Sequence, residues 1–150
     1  MSQSALLKHT EFELDGNLGE LGRLVEYVDQ FCLAADLDGD AQFELNLVLE
    51  ELFTNAVRHG GCEGMKNAVQ VHFGLLENGG VAVEYRDRGT PFDPTSVAEP
   101  DLAAPLSQRQ PGGLGIHLLR QTMRDLRYQR AGDWNRLTMR REGKQEAKSI

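Results

Sequence analysis

Two stretches of alternating apolar residues, joined by a short turn, constrain the fold of this chain more than any other feature. Their apolar members are Val69, Val71, Phe73 and Leu75, then Val81, Val83 and Tyr85. A period of two puts such residues on one face of a β-strand. The connection contains Asn78-Gly79, a dipeptide typical of two-residue hairpin turns. The sequence therefore predicts two antiparallel strands joined in a hairpin.

Apolar residues at helical spacing predict three helices around this hairpin. A short strand with Phe12 and Leu14 comes first, and Asn17 is suited to cap the first helix. The second helix is expected from about Ala41 to His59, after a turn at "LDGD", and two glycines stop it. The motif "GGLG" opens the third helix, whose apolar face consists of Ile116, Leu119, Met123 and Leu126. The following "LRYQRAGDWNRLTMRR" predicts a second hairpin that turns near "AGD".

Length and charge limit the classes of protein to which the chain can belong. Its 150 residues predict one domain over residues 1–150, with a polar, flexible tail at 141–150. The sequence has neither a signal-peptide pattern at its start nor an apolar run of membrane-spanning length, so we expect a cytoplasmic protein that binds no membrane. A net charge of −7 disfavours nucleic-acid binding. Residues 90–111 are rich in proline and predict a long loop of the kind that forms functional lids.

The second predicted helix carries polar residues along one edge of its apolar stripe. Glu51, Asn55 and Arg58 lie on this edge, whereas Glu50 points to the other side of the helix. Glu51 and Asn55 are four residues apart and therefore neighbours on one face. A carboxylate beside a core is unfavourable unless it has partners. The pair indicates a binding site, although a solvated helix flank would also explain these residues taken alone.

Two further motifs favour a binding site. Asp87 continues the inward phase of the second hairpin strand, and a lone acid facing inward needs a donor such as a base amino group. In "PGGLG", Gly112, Gly113 and Gly115 stand where a helix begins, and such glycines let backbone N–H groups approach phosphates closely. The motif lacks the Gly-Lys-Ser/Thr of a P-loop and the preceding strand of a Rossmann fingerprint.

Together these motifs resemble the GHKL ATPase/kinase superfamily. "EELFTNAVRHG" is similar to its N box, "DRGTPFDP" to its first glycine box and "GGLGIHLLRQTMRDLRY" to its second, in the family's order. More closely, they resemble the anti-sigma-factor serine/threonine kinases. The resemblance implies an α/β fold, a two-layer sandwich in which helices cover one face of a mixed, mainly antiparallel sheet (the Bergerat fold).

The resemblance also implies roles for individual residues. Glu51 matches the general base that activates a hydroxyl, and Asn55 matches the ligand of Mg²⁺. Asp87 matches the acceptor of a hydrogen bond from adenine, and Gly89 lets the backbone pass close to the nucleotide. The residues that match the phosphate-contacting turn are Gly112, Gly113, Leu114 and Gly115. Two more positions are Arg58, expected to border the nucleotide, and His59, interpreted as a helix-terminal residue favoured by the dipole.

The function implied by the resemblance is phosphorylation, with ATP and Mg²⁺, of a serine or threonine on a STAS-domain antagonist. Family members commonly act as homodimers, and some bind a sigma factor. Two alternatives stay open from the sequence. One is an ATP-dependent binding module that does not phosphorylate its partner. The other is a histidine-kinase catalytic domain, which is disfavoured because the sequence has no upstream dimerisation segment with a phospho-acceptor histidine.

Overall fold

A computed structural model of the chain describes residues 9–96 and 113–143. Within these ranges the chain forms five strands and three α-helices, in the order β1 (His9–Leu14), α1 (Leu21–Ala34), α2 (Gly39–Arg58), β2 (Val69–Leu75), β3 (Val81–Asp87), α3 (Gly113–Thr122), β4 (Met123–Ala131) and β5 (Trp134–Arg141). Short 3-10 turns cover Leu18–Glu20 and Pro94–Ser96. None of the helices within those ranges combines the length and the apolar content that a bilayer crossing requires.

The strands form one sheet in the order β1-β2-β3-β5-β4. Every neighbouring pair of these strands is antiparallel, where the sequence analysis allowed for a mixed sheet. Side chains along β2, β3 and β5 alternate between buried and half-buried, as a period of two requires. The buried face packs against the apolar sides of the helices in a single core. The predicted two-layer α/β fold is therefore confirmed.

An aromatic cluster fixes α1 on the sheet. The ring of Phe73 lies 4.8 Å from that of Phe31 and 5.9 Å from that of Phe12, measured between ring centroids. Phe12 in turn stacks on Tyr27 at 4.4 Å. Such aromatic pairs stabilise packing beyond the burial of their area. The cluster therefore joins β1, β2 and α1 into one packed unit.

Helix α2 begins two residues earlier than predicted. Asp38 is its N-cap, and one of its carboxylate oxygens accepts a hydrogen bond from the Ala41 backbone N–H at 2.9 Å. Gly39 and Asp40 of the supposed turn form the first helical turn, where an acidic residue suits the helix dipole. The cap predicted at Asn17 exists, but it caps the 3-10 turn that precedes α1 and not α1 itself.

The predicted length of the third helix is wrong. Helix α3 ends at Thr122, and Met123 and Leu126 belong to β4. The register of β4 against β5 shifts between Arg124 and Arg127, which is the mark of a β-bulge. The extra residue places the inward side chains of Met123 and Leu126 three residues apart, a spacing that also fits one turn of a helix. The sequence pattern was therefore ambiguous, and pairing with β5 decided the outcome.

The first residues of the predicted tail are part of the fold. Arg141 is the last residue of β5, and its Nε donates a hydrogen bond to Glu44 on α2 at 2.9 Å. Gly143 is buried, and a Cβ there would overlap the backbone of Asn78 and its neighbours in the β2–β3 turn. Residues 141–143 thus belong to the folded domain, and residues 144–150 lie outside the described ranges.

The aromatic cluster makes a prediction about stability. Phe73→Ala removes a fully buried ring that contacts two others, so it should lower the free energy of unfolding by about 3–5 kcal/mol. Phe43→Ala is a matched control because Phe43 is 64% exposed, and it should change stability by no more than about 0.5 kcal/mol. Urea unfolding followed by circular dichroism measures both variants. Similar losses for the two would contradict the assigned role of the cluster.

Candidate functional site

A cavity opens where the C-terminal half of α2 faces the end of β3. It has a volume of about 330 Å³, within the range of roughly 300–1,000 Å³ that is usual for small-molecule sites. Its walls come from α2, β3, the loop that follows β3, and the β4–β5 hairpin. Three of the residues predicted from sequence line it, namely Asn55, Asp87 and Gly89.

Asp87 is the buried charge of this cavity. It is only 7% exposed, which confirms the inward phase predicted for it. Its Oδ1 accepts one hydrogen bond from the Gly89 backbone N–H at 2.9 Å and a second from Asn135 Nδ2 at 2.8 Å. A buried carboxylate requires such donors, since the loss of its hydration is otherwise uncompensated. Both donors meet the same oxygen, Oδ1.

Tyr85 lies beside Asp87 in the lining of the cavity. Its hydroxyl donates a hydrogen bond to the Leu52 carbonyl oxygen at 3.0 Å. Burial raises the pKa of Tyr85 well above its ordinary value, and the charge of Asp87 together with a hydrogen bond to its carboxylate raises that pKa further. Tyr85 is therefore neutral at physiological pH. Its hydrogen bond to the Leu52 carbonyl oxygen connects β3 to α2 in the wall of the cavity.

The loop after β3 passes close to the end of α2, and Gly89 permits this approach. A Cβ at Gly89 would lie 3.0 Å from Asp87 Oδ1 and 3.1 Å from the Gly60 carbonyl oxygen, which is tighter than side chains ordinarily tolerate. The next residue, Thr90, donates its backbone N–H to the same Gly60 oxygen at 2.9 Å. The absence of a side chain at Gly89 thus allows the loop backbone to lie close to the cavity.

Glu51 and Asn55 sit one helical turn apart on α2, as their spacing predicted. Glu51 is half-buried. Burial raises the pKa of its carboxyl above the ordinary value, while a hydrogen bond from Asn55 and the nearby His59 oppose that rise. A carboxylate with a raised pKa is a stronger base than an exposed one. The arrangement is therefore suited to accept a proton.

Gly115 brings α3 into direct contact with Glu51. A Cβ at Gly115 would overlap the Glu51 side chain, with 2.7 Å to its Cδ. The predicted phosphate-turn glycine and the predicted base are thus packed against each other. This contact explains why glycine is required at this position, independently of any ligand.

The remaining predicted residues are placed as follows. Arg58 is exposed and is not among the residues that line the cavity. His59, interpreted as a helix-terminal residue only, does line it. Gly113 is the first residue of α3 and Leu114 the second. Gly112 and the proposed lid residues 97–111 lie outside the described ranges.

Sequence reasoning missed Asn135, which is 6% exposed and bonded to Asp87. A signal for it existed, because Asn135 occupies the same inward phase as the buried residues Leu137 and Met139 on β5. Tyr128 on β4 was missed as well. Its hydroxyl donates to Asn135 Oδ1 at 2.6 Å, and it lines the cavity.

Comparisons with known proteins agree with this fold. The chain matches the histidine kinase-like ATPase domain family over residues 15–141. It is 36% identical over 98 residues to the serine/threonine-protein kinase BtrW of Bordetella bronchiseptica, an alignment that covers 65% of the chain and 68% of that relative. Its fold is similar to the crystal structure of the RsbU and RsbW domains of Rv1364c from Mycobacterium tuberculosis, with a TM-score of 0.64 and 15% identity. That match covers 89% of the chain and 32% of the larger protein, so it supports the fold alone.

The contact between Gly115 and Glu51 makes a prediction about stability. Gly115→Ala should lower the free energy of unfolding by about 1–3 kcal/mol, because the new Cβ overpacks the interface between α3 and α2. Gly22→Ala is the matched control near the start of α1, where an added Cβ meets nothing within 4 Å. It should be neutral or stabilising by up to about 1 kcal/mol. Thermal and urea unfolding compare the two, and a Gly115→Ala protein as stable as Gly22→Ala would refute the contact.

Proposed function

The chain belongs to the family of histidine kinase-like ATPase domains, and on this premise we propose that it is a Mg²⁺- and ATP-dependent serine/threonine protein kinase of the anti-sigma-factor type. The observation that carries the proposal is the joint position of Asp87, Asn55 and Glu51. One is a buried acceptor in the cavity, and the other two are a polar pair on the adjoining helix. These three groups are suited respectively to a nucleobase, a metal-bound phosphate and a hydroxyl.

Asp87 supplies the acceptor for adenine. Its Oδ1 is occupied by the Gly89 N–H and the Asn135 amide, so Oδ2 is the oxygen that receives the exocyclic amino group. The apolar part of the lining, which includes Leu52, suits the faces of a purine ring. Gly89 keeps the loop backbone close enough to border the base.

Asn55 fits the role of metal ligand. The described residues contain no group of three or more His, Cys, Asp or Glu side chains able to hold a metal ion. Mg²⁺ does not need such a group, because it is usually held by one or two protein oxygens together with water and phosphate oxygens. Asn55 lines the cavity and offers a neutral amide oxygen. When bound, Mg²⁺ neutralises charge that develops on the phosphates.

Glu51 is the general base of the proposal. Its half-buried carboxyl has a pKa above that of an ordinary glutamate, chiefly through burial, and it adjoins Asn55 on the same side of α2. It would accept the proton of an incoming serine or threonine hydroxyl. Gly112, Gly113, Leu114 and Gly115 would contact the phosphates, and Arg58 on α2 would border the nucleotide.

The partners belong to the proposal as well. BtrW is named a serine/threonine-protein kinase, and the larger structure contains an RsbW domain. We infer a STAS-domain antagonist as the protein substrate, a sigma factor as a second partner, a homodimeric state and a cytoplasmic location. An ATP-dependent binding module that does not transfer phosphate is the competing function.

The metal assignment makes the first functional prediction. Asn55→Ala should abolish the increase in ATP affinity that added magnesium gives the wild type, because the protein ligand is lost. The helix itself should not weaken, since alanine has the higher helix propensity by about 0.7 kcal/mol. Calorimetric titration of ATP with and without magnesium measures the effect. A variant whose affinity still rises normally with magnesium would remove Asn55 from the metal site.

The assignment of Glu51 as general base makes the second functional prediction. Glu51→Gln retains shape and removes basicity, so ATP binding should be largely kept while transfer to a STAS-type partner slows by about 10²–10⁴-fold. Glu50→Gln is the matched control on the other side of α2 and should behave as the wild type. In the wild type, transfer should fall as the pH drops through the raised pKa of Glu51, because a base must be deprotonated to act.

Single-turnover transfer of labelled phosphate, measured beside nucleotide titrations, separates the outcomes. Equal rates for the wild type and Glu51→Gln would exclude Glu51 as the base. Tight ATP binding by the wild type without transfer to any authentic partner would support the binding module instead.

A further inference from the structure

We propose that Asn135 is a positioning residue that holds the Asp87 carboxylate in one rotation and thereby sets the preference of the site for adenine over guanine. The inference rests on the proposed function, because it requires Asp87 to face a purine. It concerns a residue on β5 that none of the three sequence motifs contains.

Both the nitrogen and the oxygen of the Asn135 side-chain amide form hydrogen bonds. Its Nδ2 donates to Asp87 Oδ1 at 2.8 Å, to the Thr90 carbonyl oxygen at 2.9 Å and to the Gly89 carbonyl oxygen at 3.3 Å. Its Oδ1 accepts from the Tyr128 hydroxyl at 2.6 Å and from the Phe92 backbone N–H at 3.3 Å. A flipped amide would set its oxygen against three acceptors and its nitrogen against a backbone donor. The partners therefore determine the orientation of the amide.

The same amide connects Asp87 to the loop that follows it. Thr90 and Phe92, both bonded to Asn135, belong to this loop and line the cavity. Arg130 on β4 reinforces the connection by donating to the Gly89 carbonyl oxygen at 2.6 Å. A carboxylate whose Oδ1 accepts from both the Gly89 N–H and the Asn135 amide cannot rotate without breaking two hydrogen bonds. Asp87 therefore presents one oxygen, and not two, to the cavity.

The number of oxygens presented distinguishes the two purines. Adenine offers one amino donor at this edge, and a single fixed acceptor matches it. Guanine carries an oxygen at the corresponding position, which a carboxylate oxygen repels, and its own donors are an adjacent N–H and amino group that suit a bidentate carboxylate. A carboxylate free to rotate could offer both oxygens to guanine. Loss of Asn135 should therefore weaken ATP binding and relax the discrimination against GTP.

The experiment measures the affinities of ATP and GTP for the full chain by calorimetry. Asn135→Leu has a similar volume and lacks both ends of the amide, and we expect its ratio of ATP to GTP affinity to fall by about 10- to 100-fold. Tyr128→Phe removes only the hydroxyl that holds Asn135 Oδ1, and we expect a smaller fall in the same direction. A merely structural role for Asn135 would weaken both nucleotides equally and leave the ratio unchanged.

Asn46→Leu is the matched control. Asn46 on α2 is half-buried, and its Nδ2 donates to the Asp29 carboxylate at 3.0 Å. Asn46 and Asp29 thus form another amide–carboxylate pair, and neither residue lines the cavity. Its replacement should leave the ratio as in the wild type.

The outcomes distinguish failure of the proposed function from failure of the role proposed for Asn135. A wild-type chain that binds no ATP would overturn the proposed function. A wild-type chain that prefers ATP, with an unchanged ratio in a folded Asn135→Leu protein, would overturn the present inference alone. If Asn135→Leu does not fold, the ratio of Tyr128→Phe decides, and an unchanged ratio there overturns the inference as well.

Discussion

The burial of one carboxylate, that of Asp87, is the constraint on which the cavity depends. A buried charge is tolerated only where donors replace its water, and the two donors come from different parts of the chain. The Gly89 N–H requires a tight turn directly after β3. The Asn135 amide requires β5 to lie beside β3 in the register that sets Asp87 opposite Asn135. The order of the central strands and the path of the loop after β3 thus each bring a hydrogen-bond donor to the Asp87 carboxylate.

The main elements of the fold could be predicted from local patterns. The β2–β3 hairpin, the three helices and the final hairpin follow from the periods of apolar residues, which local sequence alone determines. The boundary between α3 and β4 could not, because a bulged strand places Met123 and Leu126 inward at the spacing of a helix. The place of Arg141 in the folded domain could not be predicted locally either, because its charge suggested a solvated tail. Its partner Glu44 lies 97 residues earlier and is brought near only by the sheet.

The candidate site was predictable to the extent that its residues break a local pattern. Asp87 is an acid in an apolar strand phase, and Glu51 and Asn55 are polar residues along the edge of an apolar helix. Asn135 also breaks its pattern, but an amide in an inward phase has no evident purpose until its partner is known, and that partner is 48 residues away. The contact of Gly115 with Glu51 is likewise a property of helix packing. Sequence indicated both residues but could not show that each limits the space of the other.

This contact links the chemistry of Glu51 to a loss of stability. Burial against α3 disfavours the charged form of Glu51, and the folded chain therefore holds its proton up to a higher pH than the unfolded chain does. Because the folded state binds more protons in that interval, its stability decreases as the pH rises from the unfolded pKa through the folded one. Above the folded pKa the carboxylate is charged, and the fold bears the full unfavourable contribution. A glutamine at this position would avoid that contribution while preserving the packing with Gly115. The presence of a glutamate, where an uncharged residue of the same shape would stabilise the fold, is what a basic role for this side chain requires.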